Sequence, residues 1–153
     1  MTLRIVVDDL TGAAVRGLIA RHLADMHETS PAESVHALDL DALTDPGVTV
    51  WSAWQGDEIV GVGALTPFGD DRAELKSMRV DDRFRGTGAG RALLQHIVAA
   101  ARDRGIRSLW LETGSEAAFA PARRLYASEG FVECAPFEGY GPDPLSTFMT
   151  RAL

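Results

Sequence analysis

One cysteine, Cys134, serves 153 residues. That excludes an internal disulfide and any thiolate zinc cluster, and fits a reducing compartment. Lysine is as scarce: Lys76 is the only one, and the remaining basic residues are arginines. Positive charge is in deficit overall, with 15 Lys and Arg against 22 Asp and Glu and a net charge of −7. Broad electrostatic capture of nucleic acid or anionic lipid is thereby disfavoured, because phosphate binding needs clustered positive charge, and a cationic partner is mildly favoured. Arginine keeps its charge and makes forked contacts, so one local anion site stays open. Long apolar runs are missing too. No stretch approaches the roughly 20 apolar residues of a spanning helix, and the short run Ile5–Val7 stops at Asp8 and Asp9, without the apolar length of a signal peptide. A cytoplasmic location is the expectation. The four histidines, His22, His27, His36 and His96, show no metal-ligand pairing; His22 and His27 are five apart, a spacing that does not stack on one helix face. They read as surface residues, and no metal is expected.

What is present is ordinary globular composition, 46% hydrophobic and 24% charged, at a length that suits a single domain over residues 1–153. Leu3–Val7 reads as a strand, followed by a helix whose Val15, Leu18, Ile19, Leu23 and Met26 recur at helical spacing and which ends near Thr29–Pro31. A weaker helical stretch, Ala32–Leu43, closes at Asp45–Pro46–Gly47. Val48–Gln55 and Ile59–Leu65 read as a β-hairpin in which Trp51 and Trp54 pack, and after the breaks at Pro67 and Gly69 comes the strand Ala73–Val80. Leu93, Leu94, Ile97, Val98 and Ala101 then form one apolar stripe on a helix stopped by Gly105. The strand Ser108–Thr113, the helix Phe119–Glu129, and the strands Phe131–Cys134 and Ser146–Leu153 complete the chain. The order β-α-α-β-β-β-α-β-α-β-β, without repeat or linker, predicts an α/β (α+β) fold: one mixed sheet covered by helices, with a β-α-β crossover in its second half.

The glycine-rich run Arg85–Gly86–Thr87–Gly88–Ala89–Gly90–Arg91 lies between a strand and a strongly amphipathic helix. Its N–H groups converge on a helix N-terminus, an arrangement that binds phosphate, and its glycines let the backbone approach an anion. A glycine turn without ligand fits the same pattern. A P-loop requires Lys-Ser/Thr after the final glycine, where Arg91–Ala92 stands; a dinucleotide fingerprint fails at Arg91 or Leu93. The spacing that fits is Arg-x-x-Gly-x-Gly, Arg85 through Gly90.

With the preceding strand Glu74–Val80, the helix bearing Leu125–Tyr126 and the closing Gly130–Phe131, this pattern resembles the Gcn5-related N-acetyltransferase (GNAT) superfamily. The runs Ser34–Leu38, Leu111–Ser115 and Phe119–Arg123 are similar to a bacterial subgroup of acetyltransferases. The resemblance implies a mostly antiparallel sheet of about six to seven strands around a β-α-β cofactor-binding core, with acetyl-CoA as donor. It implies that the pantetheine arm pairs with the backbone edge at Met78, Arg79 and Val80, and that the pyrophosphate rests on the amides of Arg85, Gly86, Thr87, Gly88, Ala89, Gly90 and Arg91. Met78 N–H becomes the candidate donor to the oxygen that turns negative during acyl transfer. Glu74, eleven positions before Arg85, falls where several members carry the general base, and Tyr126 where the family carries the acid that reprotonates the thiolate.

Each assignment has a plainer counterpart. Glu74 also reads as a solvated strand glutamate, with Lys76 about 6–7 Å along the same face, and Tyr126 as a tyrosine packed on the core. Where many relatives carry a cofactor-contacting asparagine, seven positions before the tyrosine, this chain has Phe119, which leaves Arg123 or Arg124 as substitutes. The resemblance places His36 in the stretch that walls the acceptor cleft, and Glu138 and Tyr140 on the Gly/Pro loop have similar status. Cys134 reads as a small core residue rather than an acyl carrier. The implied activity is transfer of acetyl to an amine, a small molecule rather than a protein tail, or else acyl-CoA sensing without catalysis. Pairing of two chains through the last strands is also implied.

Overall fold

The computed structural model describes residues 2–29 and 40–153. The first part of the expected second helix, and His36 with it, lies outside them. The elements run β1 (Arg4–Val7), α1 (Ala13–Thr29), α2 (Leu40–Leu43), β2 (Thr49–Gln55), β3 (Glu58–Phe68), β4 (Arg72–Val80), α3 (Ala89–Asp103), β5 (Ser108–Gly114), α4 (Ala120–Ser128), β6 (Val132–Cys134) and β7 (Ser146–Ala152). Seven strands make one sheet in the order β1-β2-β3-β4-β5-β7-β6. Every neighbouring pair is antiparallel except β4 and β5, which are joined through α3 and run parallel.

The apolar stripe of α3 packs as its spacing predicts. Leu93, Leu94, Ile97, Val98 and Ala101 are buried against Leu75, Leu109, Leu111 and Met149 of the sheet, each large side chain contributing about 1.5–3 kcal/mol. Val15, Leu18 and Ile19 of α1 pack instead on Val50, Val62 and Ala64. Ala64 and Leu65 are consecutive in β3 yet belong to different clusters, which puts α1 and α3 on opposite faces of the sheet. β3 runs on through Pro67, past the expected break. β2 begins only at Thr49, opposite Leu65, so Pro67 lies where β3 has a partner on one side only, the position a residue without N–H tolerates.

Two irregularities set the course of β4. Val62 pairs with Arg79 and Ala64 with Lys76, so Gly63 alone opposes Ser77 and Met78. This is a β-bulge, and Ser77 takes the left-handed φ of 57° it requires. Gly63 has no room for a side chain: a Cβ there lies 2.7 Å from Met78 Sδ and 2.8 Å from Ile97 Cδ1. The second irregularity is a parting of strands. The parallel ladder extends only from Arg72–Ser108 to Leu75–Leu111, while β5 continues against β7 to Gly114.

Candidate active site

Where β4 and β5 part, a cleft opens. Glu74, Lys76 and Met78 line it from β4, Glu112 and Thr113 from β5, Phe119 and Tyr126 from the α4 segment, His22 and Met26 from α1, and Tyr140 from the β6–β7 loop. All three candidate catalytic residues therefore meet in one place. Because the parallel ladder has ended, the β4 backbone beyond Leu75 presents an edge to the gap rather than to a neighbouring strand.

At the carboxyl end of β4 the chain is turned by Asp81, whose side chain accepts from Arg83 N at 3.0 Å and Arg83 Nε at 3.1 Å. The backbone bond from Arg83, with the adjacent guanidinium groups, holds the Asp81 carboxyl below the usual carboxylate range. The glycine turn follows, with Gly86 at φ 74° and Gly88 at φ 88°, a region other residues enter only with strain. Gly88 precedes α3, and the first N–H groups of that helix have no intrahelical acceptors. A Cβ at Gly90 would come within 3.3 Å of Val80 and 3.5 Å of Leu125, so glycine there lets α3 seat closely on β4 and α4.

The arginines bracketing the turn each have an acidic partner. Arg85 pairs with Asp82 at 2.8 Å and Arg91 approaches Glu129 at 3.5 Å. Arg79 turns its guanidinium to Asp25 and Asp82, leaving its main chain for the cleft edge. Val80 packs on the core beside α3. What the turn itself presents is backbone N–H groups at a helix start.

At the other end of the cleft three side chains close a ring. Lys76 Nζ lies 3.1 Å from Glu74 Oε2 and donates to Tyr140 Oη at 2.7 Å, while Tyr140 Oη donates to the same Glu74 oxygen at 2.6 Å. Glu74 is no solvated surface residue: the side chains of Glu74 and Lys76 are each 12% exposed. Burial, and then Glu74 itself, push the Tyr140 hydroxyl well above its usual range, so it is held as a donor. Phe137 fixes the loop that brings Tyr140 there. Its buried ring lies 5.8 Å from Phe68, 5.4 Å from Trp110 and 5.9 Å from Phe148. Glu138 is exposed and does not reach the cleft lining.

Tyr126 packs on the core as its plainer reading expects, buried with its ring 5.7 Å from Phe131, and it also lines the cleft. Burial, with a smaller contribution from Glu112, pushes its hydroxyl far up, so it stays protonated. Phe119 covers Gly114, where no Cβ fits. Arg123 donates to the carbonyls of Gly114 and Glu116 at 2.5 and 3.0 Å, and neither it nor the exposed Arg124 is in the cleft lining. Cys134 is half-buried on β6, its thiol raised by burial and absent from the cleft lining.

His22 corrects the expectation of a surface histidine. It is half-buried, its Nδ1 is enclosed without a hydrogen-bond partner, and burial with the nearby Arg79 charge lowers its pKa to about 4. The signal was present in the sequence, because position 22 continues the apolar stripe of Val15, Leu18, Ile19 and Met26. His27 and His96 are exposed, as expected.

Residues 16–131 match the model of the acetyltransferase (GNAT) family. The chain is 49% identical over 151 residues to an uncharacterized N-acetyltransferase, YsnE, of Bacillus subtilis (strain 168), covering 99% of this chain and 100% of that one. To the Escherichia coli (strain K12) uncharacterized N-acetyltransferase YedL it is 44% identical over 149 residues, covering 97% and 94%. A crystal structure of a Klebsiella pneumoniae protein assigned as an acyl-CoA N-acyltransferase superposes with a TM-score of 0.81 at 30% identity, over 99% of this chain and 98% of that one.

Proposed function

This chain belongs to the acetyltransferase (GNAT) family and is an acetyl-CoA-dependent acyltransferase; from that premise we propose that it acetylates the amine of a small-molecule acceptor directly, within the cleft between β4 and β5. The observation that carries the reading is the convergence of Glu74, Met78 and Tyr126 on the gap where the parallel ladder stops.

The residues present fit the donor. The left-handed glycines, the free N–H groups at the start of α3 and the open edge of β4 form a main-chain cradle that no Cβ obstructs at Gly86 or Gly88. We assign the diphosphate to the amides of Arg85 through Arg91 and the pantetheine arm to the edge at Met78, Arg79 and Val80. When bound, the donor supplies a thioester, an acetyl group already activated for attack.

The chain's own groups then have distinct tasks. Glu74 accepts the proton of the acceptor amine, directly or through water, after giving up one of the two donors that now cap its Oε2. Met78 N–H donates to the carbonyl oxygen as negative charge develops there. Tyr126, kept protonated by burial, returns a proton to the departing sulfur. Holding both reactants in one cleft supplies the remaining gain through proximity.

Thiol release from acetyl-CoA with a panel of amines tests this reading, with Gly88→Asp as the control. Space alone does not forbid a side chain at Gly88, since nothing lies within 4 Å of a Cβ there. The φ of 88° and the added negative charge do. Binding of acetyl-CoA measured by calorimetry is expected to vanish in Gly88→Asp, and unchanged affinity refutes the phosphate assignment. Cofactor binding with turnover on no acceptor refutes the catalytic one.

A further inference from the structure

The ring of Glu74, Lys76 and Tyr140 constrains what can enter the cleft. Glu74 and Lys76 form an ion pair with only 12% of each side chain exposed. Charges so shielded depend on each other. Taking one partner away leaves the other uncompensated in a poorly solvated site, which costs far more than an exposed pair is worth. An acceptor whose amine engages Glu74 must displace the ammonium of Lys76 from that carboxylate. If the acceptor is a bare cation, Lys76 then loses the carboxylate it is paired with and faces a second positive charge, with Glu112 the other anion of the cleft lining.

Glu112 lines the same cleft from β5 and adds attraction for an ammonium, while Tyr140 can accept from Lys76 but carries no charge, its hydroxyl being held protonated. His22 faces the cleft from α1 as a neutral ring at neutral pH. Arg79, the next cation along β4, is already engaged by Asp25 and Asp82. Among the described residues, Lys76 is thus the cation that lines the cleft.

We propose that the acceptor is an amine carrying its own carboxylate close by, an amino acid or a molecule that ends in one, and that Lys76 selects it. Such a molecule exchanges ion pairs one for one. Its amine end takes Glu74 while its carboxylate takes Lys76, and no buried charge is stranded. A single lysine matches a monoanion. The inference rests on the acetyltransferase reading above, with Glu74 on the amine side, and it makes the reacting end of the acceptor neutral overall rather than cationic.

The experiment compares each of the twenty amino acids with its own primary amide as acceptor, following thiol release and product mass with acetyl-CoA. The amide keeps the side chain and the amine but removes the negative charge. Its amine is less basic and more often unprotonated at neutral pH, so basicity alone favours the amide. For the best acceptor, kcat/KM is expected to favour the free acid by roughly tenfold or more. Lys76→Met is expected to erase that preference, and Lys76→Arg to retain it. Equal use of acid and amide by the unaltered protein overturns the proposal, as does a preference that survives in Lys76→Met. If no amine releases thiol, calorimetry on the CoA-loaded protein decides. Tighter binding of acid than amide, lost in Lys76→Met, upholds the selection by Lys76 while the catalytic reading fails; equal or absent binding overturns the selection itself.

Discussion

Gly63→Ala tests the bulge that places Met78. A Cβ at position 63 meets Met78 Sδ at 2.7 Å and Ile97 Cδ1 at 2.8 Å, about 1 Å inside ordinary contact on both sides. Met78 ends in a flexible thioether and can yield, whereas Ile97 is fully buried in the packed face of α3 and can yield less. Overpacking of this kind costs about 1–3 kcal/mol, partly offset by about 0.4–1 kcal/mol from the stiffer unfolded chain. The net expectation is a loss of about 1–2 kcal/mol, or a melting midpoint lower by roughly 2–8 °C. Chemical denaturation measures it, and a double-mutant cycle isolates its source. On a Met78→Ala background one of the two clashes is gone, so the same substitution is expected to cost about 1 kcal/mol less. Turnover should fall in Gly63→Ala as well, because Met78 is displaced at the proposed contact with the acyl oxygen. A neutral or stabilising Gly63→Ala, or strict additivity with Met78→Ala, refutes the tight opposition of Gly63 to the bulge.

Two further substitutions probe the cleft. Tyr126→Phe keeps the ring that packs on Phe131 and removes only the hydroxyl, so turnover is expected to slow by roughly 10²-fold or more with acetyl-CoA affinity nearly intact; equal rates confine the tyrosine to packing. His22 is held neutral in the folded protein, with a pKa of about 4 against 6.5 when unfolded. The unfolded chain therefore binds the proton first. The stability that depends on a neutral His22 is complete above about pH 6.5 and drains away as the pH falls toward 4. Relative to His22→Leu, the unaltered protein is expected to lose about 2 kcal/mol between pH 7 and pH 4.5 after discounting for partial exposure. Parallel denaturation curves for the two proteins at both pH values run against the buried neutral ring.

Much of this architecture was legible because local signals agreed with one another. The stripe from Leu93 to Ala101, the punctuation at Gly105 and the hairpin of β2 and β3 each follow from a single segment, and each forms, β3 extending beyond its expected end. The glycine turn was legible for the same reason, since left-handed positions and an amphipathic helix follow one another directly. What escaped depends on partners distant in sequence. The bulge at Ser77 is set by pairing with Gly63, and the course of β3 through Pro67 by where β2 happens to begin. Phe137 binds Phe68, Trp110 and Phe148 from three other strands, so nothing near position 137 announces that it fixes Tyr140. Lys76 was visible as a neighbour of Glu74 on one strand face, but its shielding under the β6–β7 loop was not. The pairing of Arg85 with Asp82 and of Arg91 with Glu129 was likewise not read from the sequence.

The two ends of the cleft are built from different materials. Peptide groups form the proposed grip at the start of α3, and almost any side chain that preserves the turn leaves them in place. The far end is composed of side chains on β4 and on a loop moored by one aromatic ring, where a single codon change alters charge or shape. Descendants of such a protein can therefore drift toward new guests while keeping the same currency of acyl groups, and divergence should concentrate around positions 74, 76 and 140 long before it reaches the glycines.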